Sequence, residues 1–306
     1  MTANKTLLQH KYANVIEALA IRQNISLRQA MDIFYKSDTY QEMREGISDM
    51  HCRSDLYLAE EISLENIDKI KTDIKAVAFD VGQTLIYYDN PLNWQSLYSP
   101  AIRQVMLVCG LEYTKEADDK AQKILTKYNT RVNLREHEVS SDTIFSEILY
   151  DWGIGVNNLQ DAKSAFYSFF QNGAVCFNDT EYVLQSLKSQ GIKIGALTDV
   201  AYGMDNEFAL RDILPIQKYL DICLTSNDVG FRKPNIKGYL QLQAFFNVPS
   251  HQIVFVGDEE KDIVGANDVG FVSVLINRAD DIRNWGQKYT IRELSNVLNI
   301  VEGVVK

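Results

Sequence analysis

The chain has few cysteines, no long apolar run and no surplus of positive charge. Its four cysteines (Cys52, Cys109, Cys176 and Cys223) lie far apart and show no CxxC spacing. A zinc site or disulfide framework is therefore not expected, and buried free thiols in a reducing cytoplasm are. No stretch approaches the roughly 18 apolar residues that mark a membrane span. The first residues lack a basic start followed by an apolar segment, so no signal peptide is expected either. Lys+Arg number 31 against Asp+Glu 41, a formal charge of −10. Nucleic acid and anionic membranes are held by excess cations, so this balance argues against both as partners. It leaves room for a small phosphorylated substrate, which needs only a few local cations and a metal. Internal repeats and low-complexity segments are also missing.

What is present is an ordinary globular composition, 46% apolar and 24% charged over 306 residues, enough for a sizeable core in one large and one small domain. The pattern changes near residue 70. Before it, apolar residues recur at helical spacing through Tyr12, Val15, Ile16, Leu19 and Ala20, and again through Ala30, Met31, Phe34 and Tyr35. Ser26-Leu27-Arg28-Gln29 fits a capping box, and a third helical stretch runs through Leu56, Leu58 and Ile62. A small all-helical domain over residues 1–70 is expected, ending in the polar segment Asp68–Asp73.

From residue 71 to 306 short apolar runs alternate with helical patterns. The expected strands are Lys75–Phe79, Lys193–Leu197, Ile222–Thr225, Ile253–Val256 and Val272–Ile276. Each is short, nearly continuous in apolar residues and bounded by Gly, Asp or Asn, as fully buried parallel strands are. An α/β fold follows, a Rossmann-like doubly wound parallel sheet. Residues 92–174 interrupt the alternation with amphipathic helical stretches, Trp94–Cys109, Ala117–Asn129 and Ser141–Trp152. That is too long for a loop and reads as an inserted helical subdomain, leaving 71–91 and 175–306 as the core.

Four strand ends carry candidate chemistry. The run Lys75-Ala-Val-Ala-Phe-Asp80-Val-Gly82-Gln83-Thr84 sets a carboxylate at the carboxyl edge of the sheet, where ligands bind in open α/β folds. Lys193-Ile-Gly-Ala-Leu-Thr198-Asp199 sets a hydroxyl there. Phe231-Arg232-Lys233-Pro234 supplies a cation, which the following proline biases toward an extended backbone. Gly257-Asp258-Glu259-Glu260-Lys261-Asp262 supplies two further acids of the kind that ligate magnesium. Glu259 and Glu260 read as a solvated helix start. Any one of these residues is commonplace; the order is not.

Acid, hydroxyl, Lys-Pro and Gly-Asp-x-x-x-Asp, each at its place in a βα alternation, resemble the four motifs of haloacid dehalogenase-like hydrolases from about Lys75 to Arg278. The helical stretch 92–174 is similar to that family's cap. The resemblance implies a hydrolase in which Asp80 attacks phosphorus to form an aspartyl-phosphate, while Thr198 and Lys233 hold the transferring oxygens. It implies Mg2+ bound by Asp80, Asp258 and the main-chain carbonyl of Gly82, with Asp262 supporting the metal shell or Lys233.

One departure matters. The family's phosphatases usually read Asp-x-Asp-Gly-Thr, the second Asp acting as general acid and base, whereas here Gly82 and Gln83 stand at those positions. The carbonyl ligand survives the change but the proton donor is lost, so phosphates with good leaving groups are favoured. Two alternatives stand beside this reading: dehalogenase-type hydrolysis of a carbon–halogen bond, and a weakly active fold serving as a binding or regulatory module. For the latter, residues 31–40 and 51–62 faintly resemble a small bacterial helical domain of unknown function, and a protein partner for it is possible. Trp94, Tyr98, Arg131, Arg135 and His137 are cap residues able to face the site, and Tyr87 and Tyr88 are placed to line its entrance.

Overall fold

The structure is a computed structural model that describes residues 5–23, 26–69, 74–88, 94–171, 173–279 and 281–304. The chain divides into two compact units, Met1–Asp73 and Ile74–Lys306. Residues 70–73 of the expected polar junction and residue 92, the expected start of the insertion, lie outside the described residues.

The first unit contains helices α1 (Lys5–Gln23), α2 (Leu27–Lys36), α3 (Asp38–Glu45) and α4 (Asp55–Lys69). Ser26 begins α2 with a capping box, its side chain accepting the Gln29 amide while Gln29 accepts the Ser26 amide. α3 has no counterpart in the sequence reading because its eight residues bury only Thr39 and Met43. Tyr12, Val15, Leu19, Ala30, Phe34, Met43, Leu58 and Ile62 form a core made entirely of this unit's residues.

The second unit is built on a six-stranded sheet, in which every strand pair is parallel. Its strands are β1 (Ala76–Phe79), β4 (Lys193–Thr198), β5 (Ile222–Thr225), β6 (Ile253–Gly257), β7 (Val272–Ile276) and β8 (Tyr289–Ile291), in the order β5-β4-β1-β6-β7-β8. The short β8 was not expected; only three residues pair, behind a polar lead-in. β2 (Ile86–Tyr88) and β3 (Ala174–Cys176) form a separate antiparallel pair at the two ends of the helical insertion.

Alternation along the strands explains the two-sided burial. Val77 and Phe79 of β1, with Val254 and Val256 of β6, join one core with Val183, Leu184 and Leu187 of α9 (Thr180–Ser189). Ala76 and Ala78, with Ile253 and Phe255, face the other core with Tyr239, Leu242 and Phe246. Both faces are covered, so the strands read as continuous apolar runs rather than alternating ones.

The insertion comprises α5 (Tyr98–Val108), α6 (Lys115–Tyr128), α7 (Ser141–Asp151) and α8 (Leu159–Phe170). Thr114 and Ser140 cap α6 and α7 by accepting the amides of Ala117 and Thr143. Its core of Ile102, Leu125, Phe145, Ile148, Phe166 and neighbours extends to Val200, Tyr202, Met204 and Phe208, which follow β4. The insertion is thus packed onto chain leaving the carboxyl edge of the sheet. Cys52 is exposed, correcting the expectation of buried thiols, and the other three cysteines are half-buried; all are free. No helix among the described residues is long and apolar enough to cross a membrane.

Candidate active site

Strand register assembles the site. Phe79 pairs with Ala196 of β4 and with Val256 of β6. Asp80, Thr198 and Asp258 therefore leave three adjacent parallel strands at the same edge. The Asp80 amide still donates to Val256 O at 2.8 Å, so the ladder holds Asp80 one residue past the strand. The chain then turns sharply: Leu85 N–H donates to Val81 O, Gln83 N–H donates to Ile86 O at 2.7 Å, and Gly82 bridges Ile86. Gln83 occupies the left-handed region at φ 58°, a conformation that costs a side-chain-bearing residue about 1–2 kcal/mol. A Cβ at Gly82 would meet nothing within 4 Å.

Lys233 reaches the centre of this edge. Its Nζ lies 2.5 Å from Asp80 Oδ1 and 2.6 Å from Asp262 Oδ1, and its amide donates to Asp199 Oδ1 at 3.0 Å. Burial opposes the lysine charge, but Asp262, Asp80 and Asp199 outweigh it and hold the ammonium well above the usual lysine range. Asp262 is fully buried and also accepts the Glu259 amide at 3.0 Å. A Cβ on Gly257 would fall 2.4 Å from Asp262 Cβ and Cγ, so glycine before Asp258 is what lets Asp262 close on the strand end.

Oxygens of Asp80, Asp258 and Asp262 all lie within 4.8 Å of one another. Burial, resisted by Lys233, pushes the Asp80 carboxyl up to about 6. Burial together with Asp80 and Asp262 pushes Asp258 up to about 7. Three converging carboxylates with one buried lysine leave uncompensated negative charge, and that charge with an all-oxygen donor set suits a hard divalent cation.

The site contains charged residues that the sequence reading did not assign. Lys261 Nζ bridges Asp199 Oδ2 at 3.0 Å and Glu259 Oε2 at 2.7 Å. Glu259 also meets Arg131 of the insertion at 3.3 Å, so it is not the freely solvated helix start expected of it. Glu260 is exposed, as expected. Burial disfavours the Asp199 charge, but Lys233, Lys261 and Arg232 hold its carboxyl below the usual range. Asp199 was visible beside Thr198, yet only the three-dimensional contacts reveal it as the acceptor for the Lys233 amide.

Of the insertion residues singled out whose side chains are described, Arg131 contacts the Asp258–Asp262 segment, through Glu259. Tyr98 is buried against the Tyr202 hydroxyl. Arg135 donates to Tyr128 O and Glu138 Oε1. The His137 ring rests on Phe231, 4.6 Å between centroids. The Trp94 side chain lies outside the described residues. Tyr87 packs on Phe177, and Tyr88 donates to Asp212 Oδ2 at 2.5 Å.

A parallel α/β sheet with an inserted helical subdomain, and with acids, a lysine and a hydroxyl at its carboxyl edge, is the arrangement expected of haloacid dehalogenase-like hydrolases. The sequence profile described as haloacid dehalogenase-like hydrolase matches residues 112–276, from Glu112 in the insertion through Thr198, Lys233 and Asp258 to the end of β7. The chain belongs to the haloacid dehalogenase-like hydrolases. It is 29% identical over 209 residues to a glyceraldehyde 3-phosphate phosphatase of Methanothermobacter thermautotrophicus, covering 67% of this chain and 86% of that protein. It is 25% identical over 212 residues to a phosphoglycolate phosphatase of Shigella dysenteriae, covering 66% and 81% respectively. A solved HAD phosphatase from Thermococcus onnurineus superposes with a TM-score of 0.52 at 22% identity, covering 75% of this chain and 99% of that one. A 2-haloacid dehalogenase from Pseudomonas syringae pv. Tomato superposes at 0.54 with 20% identity, covering 74% and 98%. At these identities the two structures share the fold, and the fold is common to both chemistries.

Proposed function

We propose that the chain is a magnesium-dependent phosphatase of a small phosphorylated metabolite, working through an aspartyl-phosphate on Asp80. The observation that carries this is the convergence of Asp80, Asp258 and Asp262 around one buried lysine, in a chain whose relatives are named phosphatases. Asp80 supplies the attacking carboxylate oxygen; the bond from phosphorus to the leaving oxygen, or to the leaving carbon of a phosphonate, breaks with its electron pair going to the leaving group, and water then cleaves the acyl phosphate to restore Asp80. Lys233, 2.5 Å from Asp80 Oδ1, offsets the nucleophile's charge as the anionic substrate approaches. It is then positioned, with the Thr198 hydroxyl, to hold phosphoryl oxygens. Asp80, Asp258 and the Gly82 carbonyl are the proposed magnesium ligands, with Asp262 in support through Lys233. Magnesium there supplies neutralisation of charge on the phosphoryl oxygens.

Gly82 has no proton to give a departing alkoxide. Acyl phosphates, aryl phosphates, anhydrides and phosphonates that leave as enolates are therefore the preferred classes. The carbon–halogen alternative is disfavoured by the three-acid cluster, which a metal-free displacement does not need. A reducing cytoplasm is the proposed location, and residues 1–70 are proposed to serve a protein partner.

The test is magnesium-dependent hydrolysis over a panel of phosphomonoesters, acyl phosphates, phosphonates and haloacids, with Asp80→Asn alongside. Phosphate release that requires both magnesium and Asp80 supports the proposal. Unchanged activity in Asp80→Asn ends the covalent mechanism, and halide release without magnesium moves the protein to the dehalogenase reading. Silence across the panel, in the native chain and in Gly82→Asp, favours the binding module.

A further inference from the structure

The insertion touches the loop carrying Lys233 in a way that nothing in the hydrolase chemistry requires. Residues 136–138 run antiparallel beside residues 230–232: Glu138 N–H donates to Gly230 O at 3.0 Å, and Arg232 N–H donates to Glu136 O at 2.8 Å. His137 and Phe231 form the bridge between them. Asn235, two residues past Lys233, donates to Glu136 Oε1 at 2.5 Å.

At the inner end of this pairing sits Glu138, whose side chain is 1% exposed. Its carboxylate is divided between the two subdomains. Oε1 accepts from Arg135 Nη2 at 3.0 Å and from the Val139 amide at 2.9 Å, both in the insertion. Oε2 accepts from Ser226 Oγ at 2.6 Å and from Arg232 Nη1, both in the core. Those core partners grip the backbone after Thr198: Arg232 Nη1 donates to Val200 O at 2.8 Å, and the Val200 amide donates to Ser226 Oγ at 2.9 Å. One residue away on either side, the Lys233 amide donates to Asp199 Oδ1.

We infer that Glu138 is a positioning residue, which clamps the Thr198–Val200 and Arg232–Lys233 segments to each other and to the insertion, so that Lys233 and Thr198 are aligned only while the insertion is docked. The inference rests on the proposed reaction for its kinetic consequence, though not for its structural one. A buried ion pair is weak ground for a stability role, since apolar replacements often serve as well or better. What this carboxylate provides is fixed geometry, because two of its four donors belong to its own segment, Arg135 and Val139, and the other two, Ser226 and Arg232, also hold Val200. Sub-ångström placement of transferring groups is where such geometry affects rate.

The experiment compares the full chain with Glu138→Gln, with the double variant Glu138→Gln/Arg232→Gln, and with Ile148→Val, which thins the apolar core of the insertion away from the site. The double variant removes the Glu138–Arg232 pair together, so that Arg232 is not left buried without this carboxylate. Two readouts are taken: amide hydrogen exchange over residues 198–200 and 230–233, and kcat and KM for acetyl phosphate with magnesium. Faster exchange in both segments, with kcat lowered roughly 10- to 100-fold at nearly constant KM, is expected in the Glu138 variants and not in Ile148→Val. Native exchange and native kcat in a folded Glu138→Gln protein overturn the inference. So do equal changes in Ile148→Val, which mark a merely structural loss. If the native chain hydrolyses nothing, the proposed function fails on its own, and the exchange arm alone decides the clamp.

Discussion

At Gly82 the chain forgoes a carboxylate at a position where an added Cβ meets nothing within 4 Å. The cost falls on the leaving group. Gly82→Asp is expected to raise kcat for an alkyl phosphate by roughly 100-fold, the ordinary worth of a general acid, while an acyl phosphate changes little. Steady-state rates on the two substrates check this; equal stimulation of both moves the gain from the leaving group to the shared hydrolysis of the aspartyl-phosphate, and stimulation of neither removes the acid–base account. The acids that remain make a second prediction. Asp80 near 6 and Asp258 near 7 both sit above the ordinary aspartate value of 3.8. Between about pH 4 and 7 the folded, metal-free protein therefore binds more protons than the unfolded chain, and stability falls as pH rises. Each of these protons must be given up by the folded state as pH passes its raised value, and that is the source of the loss. Thermal melts without metal should show Tm declining from pH 5 to pH 7, with Asp258→Asn flattening the slope. Magnesium, binding the ionised carboxylates, should raise Tm more at pH 8 than at pH 5. A metal-free Tm that climbs over this interval contradicts the assignment. Among these residues, Asp80 and Asp258 were legible in the sequence because each directly follows a strand, and Lys233 because of the Lys-Pro pair, although it lies in a loop beyond β5 and the short helix Ser226–Val229 rather than at the strand end itself. Glu138, Asp199 and Lys261 were not, because their significance comes from contacts between segments that are 34 to 94 residues apart for the pairs Lys233–Asp199 and Arg232–Glu138.

Among elements, the junction of β6 with the following helix (Glu260–Asp268) concentrates the most geometry in the fewest atoms. Gly257 ends β6, and Asp262 lies in the first turn of that helix with its side chain where a Gly257 Cβ would stand. Gly257→Ala must push Asp262 outward, at a cost typical of overpacking, about 1–3 kcal/mol, and it draws a carboxylate away from Lys233. The expected result is a lowered Tm together with a lowered kcat, whereas simple core strain would lower Tm alone. The five long sheet strands were legible as elements because burial on both faces leaves an unbroken apolar run. β2, β3 and β8 were not, each being only three residues long. The insertion showed three of its four helices, all but α8, and did not show its attachment: the pairing of residues 136–138 with 230–232 uses main-chain groups, and main-chain groups leave no mark on residue type.

At the scale of the whole molecule, two compact units hold separate cores. Among the described residues, the apolar core of residues 12–62 draws on none past Ile62, and the cores of the second unit draw on none before Ile74. Every side chain assigned to the proposed chemistry, from Asp80 to Asp262, belongs to the second unit. A domain of some 230 residues buries enough surface to fold unaided. The protein shortened to residues 74–306 should therefore remain folded, and its magnesium-dependent kcat on an acyl phosphate should stay within about threefold of the full chain. That margin, roughly 0.7 kcal/mol in activation free energy, is less than the loss of any single aligned catalytic group. Calorimetry gives an independent check: separate cores predict that the transition magnesium leaves unmoved disappears on shortening, while the transition that magnesium raises persists. A shortened protein that is folded yet inactive would instead assign residues 1–73 a direct part in the reaction, and the search for their partner would begin at the active site.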